Sequence, residues 1–306
     1  MSIVLGPLLG GFAAAANGWQ WTIWQLMWLS GASLMFFILF MPETNQSNIL
    51  YRRSRRLRVL TGNKTLRSEQ DVLGGSMSLW QTLHRLFARP FVLCFTEPIL
   101  LVINVYIALL NAILFGSLDS FPLVFNGVYS FDLGEVGLAF LGLLVGSTLA
   151  LPPMFYYLRY LLVPNASGEI RPEKRLPPAM VGAFLVPISL FMFGWTARAS
   201  VHWIVPILAS GFFGIAIVTI SYANLNYLPD AYPSCAASVL AGNEFMRSTA
   251  SAVFPLFTTA MYNRLGIGWA SSLLGFLSCV FIPVPIVLYY HGHTIRSWSK
   301  RAKQDF

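Results

Sequence analysis

The sequence predicts an all-α integral membrane protein with about eight transmembrane helices. Three observations lead to this fold class: the composition, the length of the apolar runs, and the distribution of basic residues between them. Hydrophobic residues make up 56% of the 306 residues and charged residues only 10%, with a mean hydropathy of +0.63. Soluble domains carry about 25% charged residues. A chain with so little charge is better suited to a bilayer than to water.

The apolar runs come in the lengths expected of bilayer crossings, which need about 20 residues each. The first run is short. The second begins at an interfacial cluster of Trp19, Trp21 and Trp24 and ends before Pro42. The longest polar stretch, residues 42–89, separates the second run from the third. The eight predicted spans cover residues 1–16, 19–40, 90–115, 134–157, 178–195, 203–227, 236–262 and 269–290.

Basic residues are concentrated on one side of the membrane when these spans alternate. Of the 20 Lys and Arg residues, seventeen fall on the side of the long polar stretch, two (Arg198 and Arg264) on the other, and Arg247 within a span. Cytoplasmic loops carry an excess of Lys and Arg, so we expect the basic loops and the C-terminus to be cytoplasmic. Because the net charge of +8 arises from these loops, it does not indicate a nucleic-acid partner.

The cysteines and histidines form no pattern typical of a metal or catalytic site. Cys94, Cys235 and Cys279 are far apart in the sequence, and the only close histidine pair is His291 and His293. We therefore predict no metal, no cofactor and no catalytic residue, and we expect that the protein is not an enzyme. An intramembrane enzyme would need a clustered nucleophile and base, or two histidines at helical spacing with an acid.

The first span contains the run Gly-Pro-Leu-Leu-Gly-Gly at residues 6–11. Gly6 and Gly10 have the small-xxx-small spacing that lets two helix backbones approach closely. Pro7 removes one backbone hydrogen bond and bends the helix. An ordinary helix-packing motif is the alternative interpretation.

The run at 6–11 is similar to the antiporter motif on the fifth helix of the major facilitator superfamily, in its fungal drug:proton antiporter branch. In that branch a Gly-Trp-x-Trp entry to the sixth helix follows, here at 18–21, and a Pro-Glu-Thr end, here at 42–44. Residues 172–178, 226–233 and 237–248 also resemble family segments in family order. The resemblance implies that the chain corresponds to helices five to twelve of a twelve-helix fold.

The resemblance also implies a domain organisation. Residues 1–41 would be the remnant of an N-terminal six-helix half, 42–89 a basic cytoplasmic loop between halves, 90–290 a C-terminal six-helix bundle, and 291–306 a basic cytoplasmic tail. The implied function is a secondary transporter of the plasma membrane that exports small amphipathic molecules, in the manner of multidrug efflux, by alternating access. Its partners would be the lipid bilayer, a small-molecule substrate and protons as coupling ions, with no obligate protein partner. The alternative is a truncated, transport-inactive relative or an incomplete gene model, because helices one to four have no counterpart.

Candidate site residues fall into three groups. The resemblance implies that Gly6, Pro7, Gly10 and Gly11 shape the interface of helix five and limit leakage. Glu97, Glu244 and Arg247 are candidates for proton or charge coupling, because a charge inside the bilayer is costly and usually functional. The alternatives are an interfacial carboxylate paired with a loop arginine for Glu97, and a structural ion pair for Glu244 and Arg247, which are three residues apart.

The third group consists of polar residues within apolar spans. Lipid cannot satisfy their hydrogen bonds, so they would face the interior and could line a cavity for an amphipathic substrate. Hydrogen bonding between helices is the alternative. These candidates are Asn104, Asn111, Tyr222, Asn224, Asn226, Tyr227 and Asn243.

Overall fold

The computed structural model describes residues 2–43, 46–63, 65–68, 88, 90–162, 171–297 and 299. All regular structure within these ranges is helical, which confirms the all-α fold class. The α-helices are α1 (Ser2–Asn17), α2 (Trp19–Phe40), α3 (Gln46–Thr61), α4 (Pro98–Phe125), α5 (Leu133–Ala139), α6 (Leu141–Leu149), α7 (Leu151–Tyr156), α8 (Pro177–Thr196), α9 (Ile204–Ala231), α10 (Ala236–Val280) and α11 (Pro283–Ser297). Residues 90–96 are also helical, and a 3₁₀ turn covers Pro172–Arg175.

Six stretches of the described chain are long and apolar enough to cross a membrane. They are Trp19–Phe40, Pro98–Phe125, Leu133–Leu161, Pro177–Thr196, Ile204–Ala231 and Ala236–Ser297. The sequence predicts eight spans, and two differences explain the smaller number. The apolar part of α1, Gly6–Ala16, is shorter than a full crossing. The last two predicted spans are joined in one helical stretch, so the numbering of the helices stays a prediction.

The joined stretch turns back on itself at Gly266. Gly266 has φ 77° and ψ 161°, a conformation that glycine adopts far more readily than other residues. The hydroxyls of Tyr262 and Ser271 lie 3.2 Å apart. Nine residues of straight helix would separate these positions by about 13.5 Å along the axis and place them on opposite faces. The chain therefore reverses between the two predicted spans, at the position where the sequence puts a loop.

The two legs of α10 pack against different helices. The first leg contacts α4, where a Cβ added to Gly116 would lie 2.8 Å from the Phe254 ring. The second leg contacts α8, where the Trp195 indole donates a hydrogen bond to the Ser272 hydroxyl at 3.0 Å. Trp269 stands edge-on to Trp195, with ring centroids 5.9 Å apart. Both predicted spans are thus held in the bundle through their own neighbours.

Helix α9 packs closely against both α6 and α8 at glycine positions. A Cβ added to Gly146 of α6 would lie 1.9 Å from the carbonyl oxygen of Gly211. One added to Gly182 of α8 would lie 2.5 Å from Thr219 Oγ1 of α9. Small residues at helix crossings allow this approach, which maximises van der Waals contact where lipid supplies no hydrophobic driving force.

Several helix ends differ from the predicted boundaries. Helix α4 begins at Pro98, because a proline disfavours the helical conformation at the residue before it. Glu97 accordingly has an extended backbone with φ −101° and ψ 112°. Helix α4 continues to Phe125, α9 to Ala231 and α11 to Ser297, each beyond the predicted end of its span. Hydropathy does not detect these extensions, because it indicates the length of the membrane crossing and not the length of the helix.

The contacts divide the chain into two compact units. One combines the described residues of Met1–Trp19 with those of Pro90–Phe306, and the other covers Gln20–Arg89. In the second unit no residue of α2 is buried, as suits an apolar helix whose surroundings are lipid. Helix α3 occupies part of the predicted polar loop 42–89, and most of the remainder lies outside the described residues. The predicted domain boundaries therefore remain a prediction.

Candidate functional site

The predicted packing motif on α1 lies against α5. A Cβ added to Gly11 would lie 2.7 Å from the carbonyl oxygen of Leu133. A Cβ on Gly137 would lie 3.0 Å from the carbonyl oxygen of Pro7. The two backbones therefore touch directly. Of the predicted residues, Gly11 therefore approaches α5, whereas Gly6 has no atom within 4 Å of its would-be Cβ.

Gly10 is half-buried on the same helix. On the opposing helix, the ring of Phe12 covers Gly134, whose added Cβ would lie 3.0 Å from the ring. The sequence argument did not single out Gly134 or Gly137. Their three-residue spacing, which puts both glycines on one face of α5, is the signal that could have identified this side of the contact.

Glu97 sits at the break that precedes α4 and is buried, with 7% of its surface exposed. The hydroxyl of Tyr232 lies 3.5 Å from Glu97 Oε2 and can donate a hydrogen bond to it. Burial raises the pKa of the Tyr232 phenol above its ordinary value, so the phenol keeps the proton that it donates. In the part of the chain that the structure describes, the partner of Glu97 is thus a tyrosine and not a loop arginine.

Glu244 and Arg247 form an ion pair on one face of α10. The Ser248 hydroxyl donates a second hydrogen bond to Glu244, at 3.2 Å from Oε1. The side chains of Glu244 and Arg247 are 56% and 30% exposed. Beside the pair lies a cavity of about 330 Å³ that α4 lines with Asn111 and Phe115. This is the place where the structure brings candidates of two groups together.

Asn104 and Asn243 join α4 to α10 inside the bundle. The Asn243 side-chain amide donates a hydrogen bond to Asn104 Oδ1 at 2.8 Å. Asn104 in turn donates to the Cys94 sulfur at 3.2 Å. Both asparagines are buried, at 1% or less exposed. Their position at a closely packed helix crossing fits the hydrogen-bonding alternative better than a place in a cavity wall.

The four candidates on α9 fall on two faces of the helix. Asn224 and Tyr227 are buried, whereas Tyr222 and Asn226 are half-buried. Asn224 donates to the carbonyl of Ile220 at 3.0 Å, and Asn226 donates to the carbonyl of Tyr222 at 2.7 Å. These asparagines satisfy their amide groups within their own helix. The structure therefore does not collect the predicted polar residues into one cavity.

Metal-binding residues do not cluster in the described part of the chain, where no group of three or more His, Cys, Asp or Glu residues lies close enough to hold an ion. The charged candidates also lie apart from one another. Glu97 faces Tyr232 near the start of α4, whereas Glu244 and Arg247 face the cavity beside Asn111. Only the second place combines exposed charge with space for a small molecule.

Comparison with known proteins identifies the family. Residues 1–255 match the sequence profile of the Major Facilitator Superfamily. This chain belongs to the major facilitator superfamily. The superfamily predicted from the motifs is therefore confirmed, and with it a family of transporters and not of enzymes. No solved structure matches the chain.

Several fungal members of the superfamily align with nearly the whole chain. Transporter mfs1 of Schizosaccharomyces pombe is 41% identical over 98% of this chain and 58% of its own length. Fluconazole resistance protein 1 of Saccharomyces cerevisiae is 39% identical over 98% of this chain and 56% of its own length. Multidrug transporter FLR2 of Candida glabrata is 38% identical over 97% of this chain and 51% of its own length. The chain spans a little over half the length of these curated relatives.

This major facilitator chain also contains an ion-pair cluster that the sequence argument missed. Arg296 of α11 pairs with Glu173 of the 3₁₀ turn, with 2.6 Å between Nη2 and Oε1, and their side chains are 2% and 12% exposed. Arg175 pairs with Asp230 near the end of α9, and these side chains are 18% and 32% exposed. No local spacing connects these partners. The segments of Glu173, Arg175 and Asp230 resemble the family, but the pairing itself depends on the fold.

Proposed function

We propose that this protein is a secondary transporter that exports small amphipathic molecules in exchange for protons. Membership of the major facilitator superfamily supports transport as the activity. The names of the relatives, among them a multidrug transporter and a fluconazole resistance protein, support efflux of foreign compounds. The mechanism would be alternating access, in which two helix bundles rock about a central site.

The observation that carries the proposal is the cavity beside α4 and α10. Its wall combines the apolar ring of Phe115 with the amide of Asn111, a combination suited to a molecule that is mostly apolar with a few polar groups. The exposed pair of Glu244 and Arg247 borders the same space. On accepting a proton, the accessible carboxylate of Glu244 would release Arg247. The charge of the cavity would then depend on the proton gradient.

The contact between α1 and α5 supports the same mechanism. In the proposed numbering α1 belongs to one bundle and α5 to the other. Because Gly11 and Gly137 bring backbone against backbone, the two helices can meet without interlocking side chains. Such a surface seals tightly and still permits one helix to move against the other.

The proposed topology places the protein in the plasma membrane with its basic segments in the cytoplasm. Arg171, Lys174 and Arg175 precede α8 at the same end of the bundle as Arg296 of α11. This arrangement agrees with an excess of Lys and Arg on the cytoplasmic side. Export would then carry substrate from the side of these residues to the side of Arg198 and Arg264.

An efflux assay with this chain tests the proposal. Cells that express the chain are loaded with a fluorescent amphipathic dye, and loss of dye is followed with and without a protonophore. We expect efflux that the protonophore abolishes and that Glu244→Gln slows at least tenfold. The matched control is Arg264→Gln, an exposed charge outside the cavity. Absence of efflux from cells in which the chain reaches the membrane would refute the proposal, and unchanged efflux in Glu244→Gln would remove that carboxylate from it.

The α1 contact has its own test in the same assay. Gly11→Ala places a methyl group against the Leu133 carbonyl, whereas Gly6→Ala meets open space. We expect Gly11→Ala to reduce efflux or to make the membrane leaky to protons, and Gly6→Ala to behave like the unaltered protein. Equal behaviour of the two variants would separate this contact from the transport mechanism.

A further inference from the structure

A second cavity lies away from the proposed substrate site, where the 3₁₀ turn meets the last turns of α11. Its volume is about 530 Å³. Its wall carries the cations Arg171, Lys174 and Arg296 against the single carboxylate of Glu173, together with His293. The formal charge of the lining is therefore positive with His293 neutral. The transport proposal makes no use of this cavity.

The cationic wall is built on a fixed scaffold. Arg296 is 2% exposed and is held by Glu173 at 2.6 Å. Glu173 can approach α11 because Gly292 has no side chain, and a Cβ there would lie 2.9 Å from Glu173 Oε1. The Tyr157 hydroxyl donates to the carbonyl of Lys174 at 2.5 Å, which ties the turn to the preceding span. These contacts fix the backbone of the turn that carries Arg171 and Lys174, so an anion does not have to order the turn when it binds.

The remaining wall places the cavity at the boundary of the membrane. Tyr289 and Tyr290 line it, at the end of the apolar part of α11, and Tyr290 is 72% exposed. Tyrosines prefer the interface between hydrocarbon and water. The cavity thus has a cationic side and, on the same helix, an aromatic side suited to the membrane boundary.

We propose that this cavity binds the headgroup of an anionic phospholipid from the leaflet that the basic segments face. Arg and Lys are the side chains that pair with phosphate oxygens, and Arg171 and Lys174 supply them here. The start of the acyl chains would lie against Tyr289 and Tyr290, which line the same cavity. A soluble phosphate compound would use the cations and leave the tyrosine wall empty, and for that reason we commit to a lipid.

Lipid titration of the purified full chain in detergent micelles tests the site. The probes are phosphatidylinositol and phosphatidylserine, with phosphatidylcholine as the lipid that has no net charge, and the readout is the thermal unfolding midpoint from tryptophan fluorescence. We expect the two anionic lipids to raise the midpoint and phosphatidylcholine to leave it unchanged. Inorganic phosphate and a water-soluble glycerophospholipid headgroup are expected to have no effect at matched concentration.

Variants of Arg171, which is exposed and outside any described ion pair, locate the effect. An interfacial cation contributes about a factor of five to the affinity for an anionic membrane. We expect Arg171→Gln to weaken the apparent lipid affinity roughly fivefold and Arg171→Glu roughly 25-fold. Lys174→Gln is a second variant should Arg171→Glu fold poorly. The matched controls are Arg264→Gln and Arg264→Glu, which make the same charge changes outside the cavity.

Four results would overturn the proposal. The first is that phosphatidylcholine raises the unfolding midpoint as much as the anionic lipids do, and the second is that soluble phosphate or headgroup does so. The third is an unchanged lipid affinity in both Arg171→Glu and Lys174→Gln. The last is that Arg264→Glu loses as much lipid affinity as Arg171→Glu. The second result would assign the cavity to a free anion, and the last would assign the effect to diffuse surface charge. None of these outcomes depends on transport, so the lipid site and the transport proposal can fail separately.

Discussion

Two arginine–glutamate pairs in the same helical unit differ in almost every physical respect. Glu244 and Arg247 lie three residues apart on α10, with side chains 56% and 30% exposed. Glu173 and Arg296 come from segments more than a hundred residues apart, with side chains 12% and 2% exposed. Helix geometry alone creates the first pair, whereas only the assembled fold can create the second.

The difference in exposure changes what each ion pair contributes to the stability of the protein. An exposed pair gains little, because its charges are well solvated whether or not they are paired. A buried pair has already lost its solvation, so removing one partner leaves an uncompensated charge inside the protein. In the proposed transport cycle the exposed pair would open and close, whereas the buried pair fixes the 3₁₀ turn against α11. Four experiments, in order of expected effect on stability, test this contrast.

The largest effect is expected from Arg296→Met. The substitution leaves Glu173 buried without its cation, which should lower the free energy of unfolding by about 3–5 kcal/mol. The measurement is denaturant-induced unfolding of the purified protein in detergent. The double variant with Glu173→Gln should recover a large part of the loss. A loss no greater than that of Arg247→Met would show that the two pairs are equivalent and that the comparison is wrong.

An intermediate effect is expected from Arg175→Gln. Its partner Asp230 is 32% exposed, so water already screens part of the charge that the substitution leaves unpaired. We expect a loss of about 1 kcal/mol, between the values for exposed and buried pairs. The loss should shrink in high salt, which screens partly exposed charges. A salt-independent loss as large as that of Arg296→Met would place this pair in the buried class.

A smaller effect is expected when the uncharged contact between α4 and α10 is removed. The coupling energy between Asn104→Ala and Asn243→Ala, measured by a double-mutant cycle, should be about 0.6 kcal/mol and at most about 1.7 kcal/mol. This value calibrates what a neutral hydrogen bond contributes at a buried crossing of the same unit. A coupling near zero would indicate that the 2.8 Å contact adds nothing to the packing around it.

The smallest effect on stability is expected from Arg247→Gln. An exposed pair within one helix contributes about 0.3–0.5 kcal/mol, so the unfolding midpoint should hardly move. Dye efflux should fall nevertheless, because in the proposed mechanism Arg247 is the charge that protonation of Glu244 releases. If the variant instead unfolds as readily as Arg296→Met, the structural interpretation of this pair is the correct one.

Sequence reasoning was accurate where the physics is local. Apolar runs and the interfacial tryptophans identified helices and their approximate bounds. It placed a loop between 262 and 269, and the structure reverses the chain there at Gly266. It underestimated the length of α4, α9 and α11 because helices continue past the apolar part that hydropathy detects. It counted eight spans where six segments meet the length criterion in the described residues.

The roles of the candidate site residues stay a prediction, and the structure shows which of these residues lie together. Arg247 and Glu244 were paired from their spacing, and the structure pairs them. Asn111 shares their cavity, whereas Asn104 and Asn243 bond to each other and the α9 residues lie elsewhere. Spacing along one helix shows which residues share a face. It does not show which helix that face meets, and this information separated the asparagines into different environments.

The sequence by itself determined the solvent, the fold class and the family. Low charge and long apolar runs indicate a bilayer as the solvent, and the ordered motifs between residues 6 and 248 indicate the superfamily. Tertiary structure alone decided that Gly11 and not Gly6 meets α5, that Glu97 faces Tyr232, and that Glu173 finds Arg296 from a distant segment. The physical reason is the separation along the chain of the residues involved. Hydropathy and helix periodicity depend on residues that are neighbours in the sequence. Close packing and the pairing of buried charges depend on which surfaces the folded chain brings together.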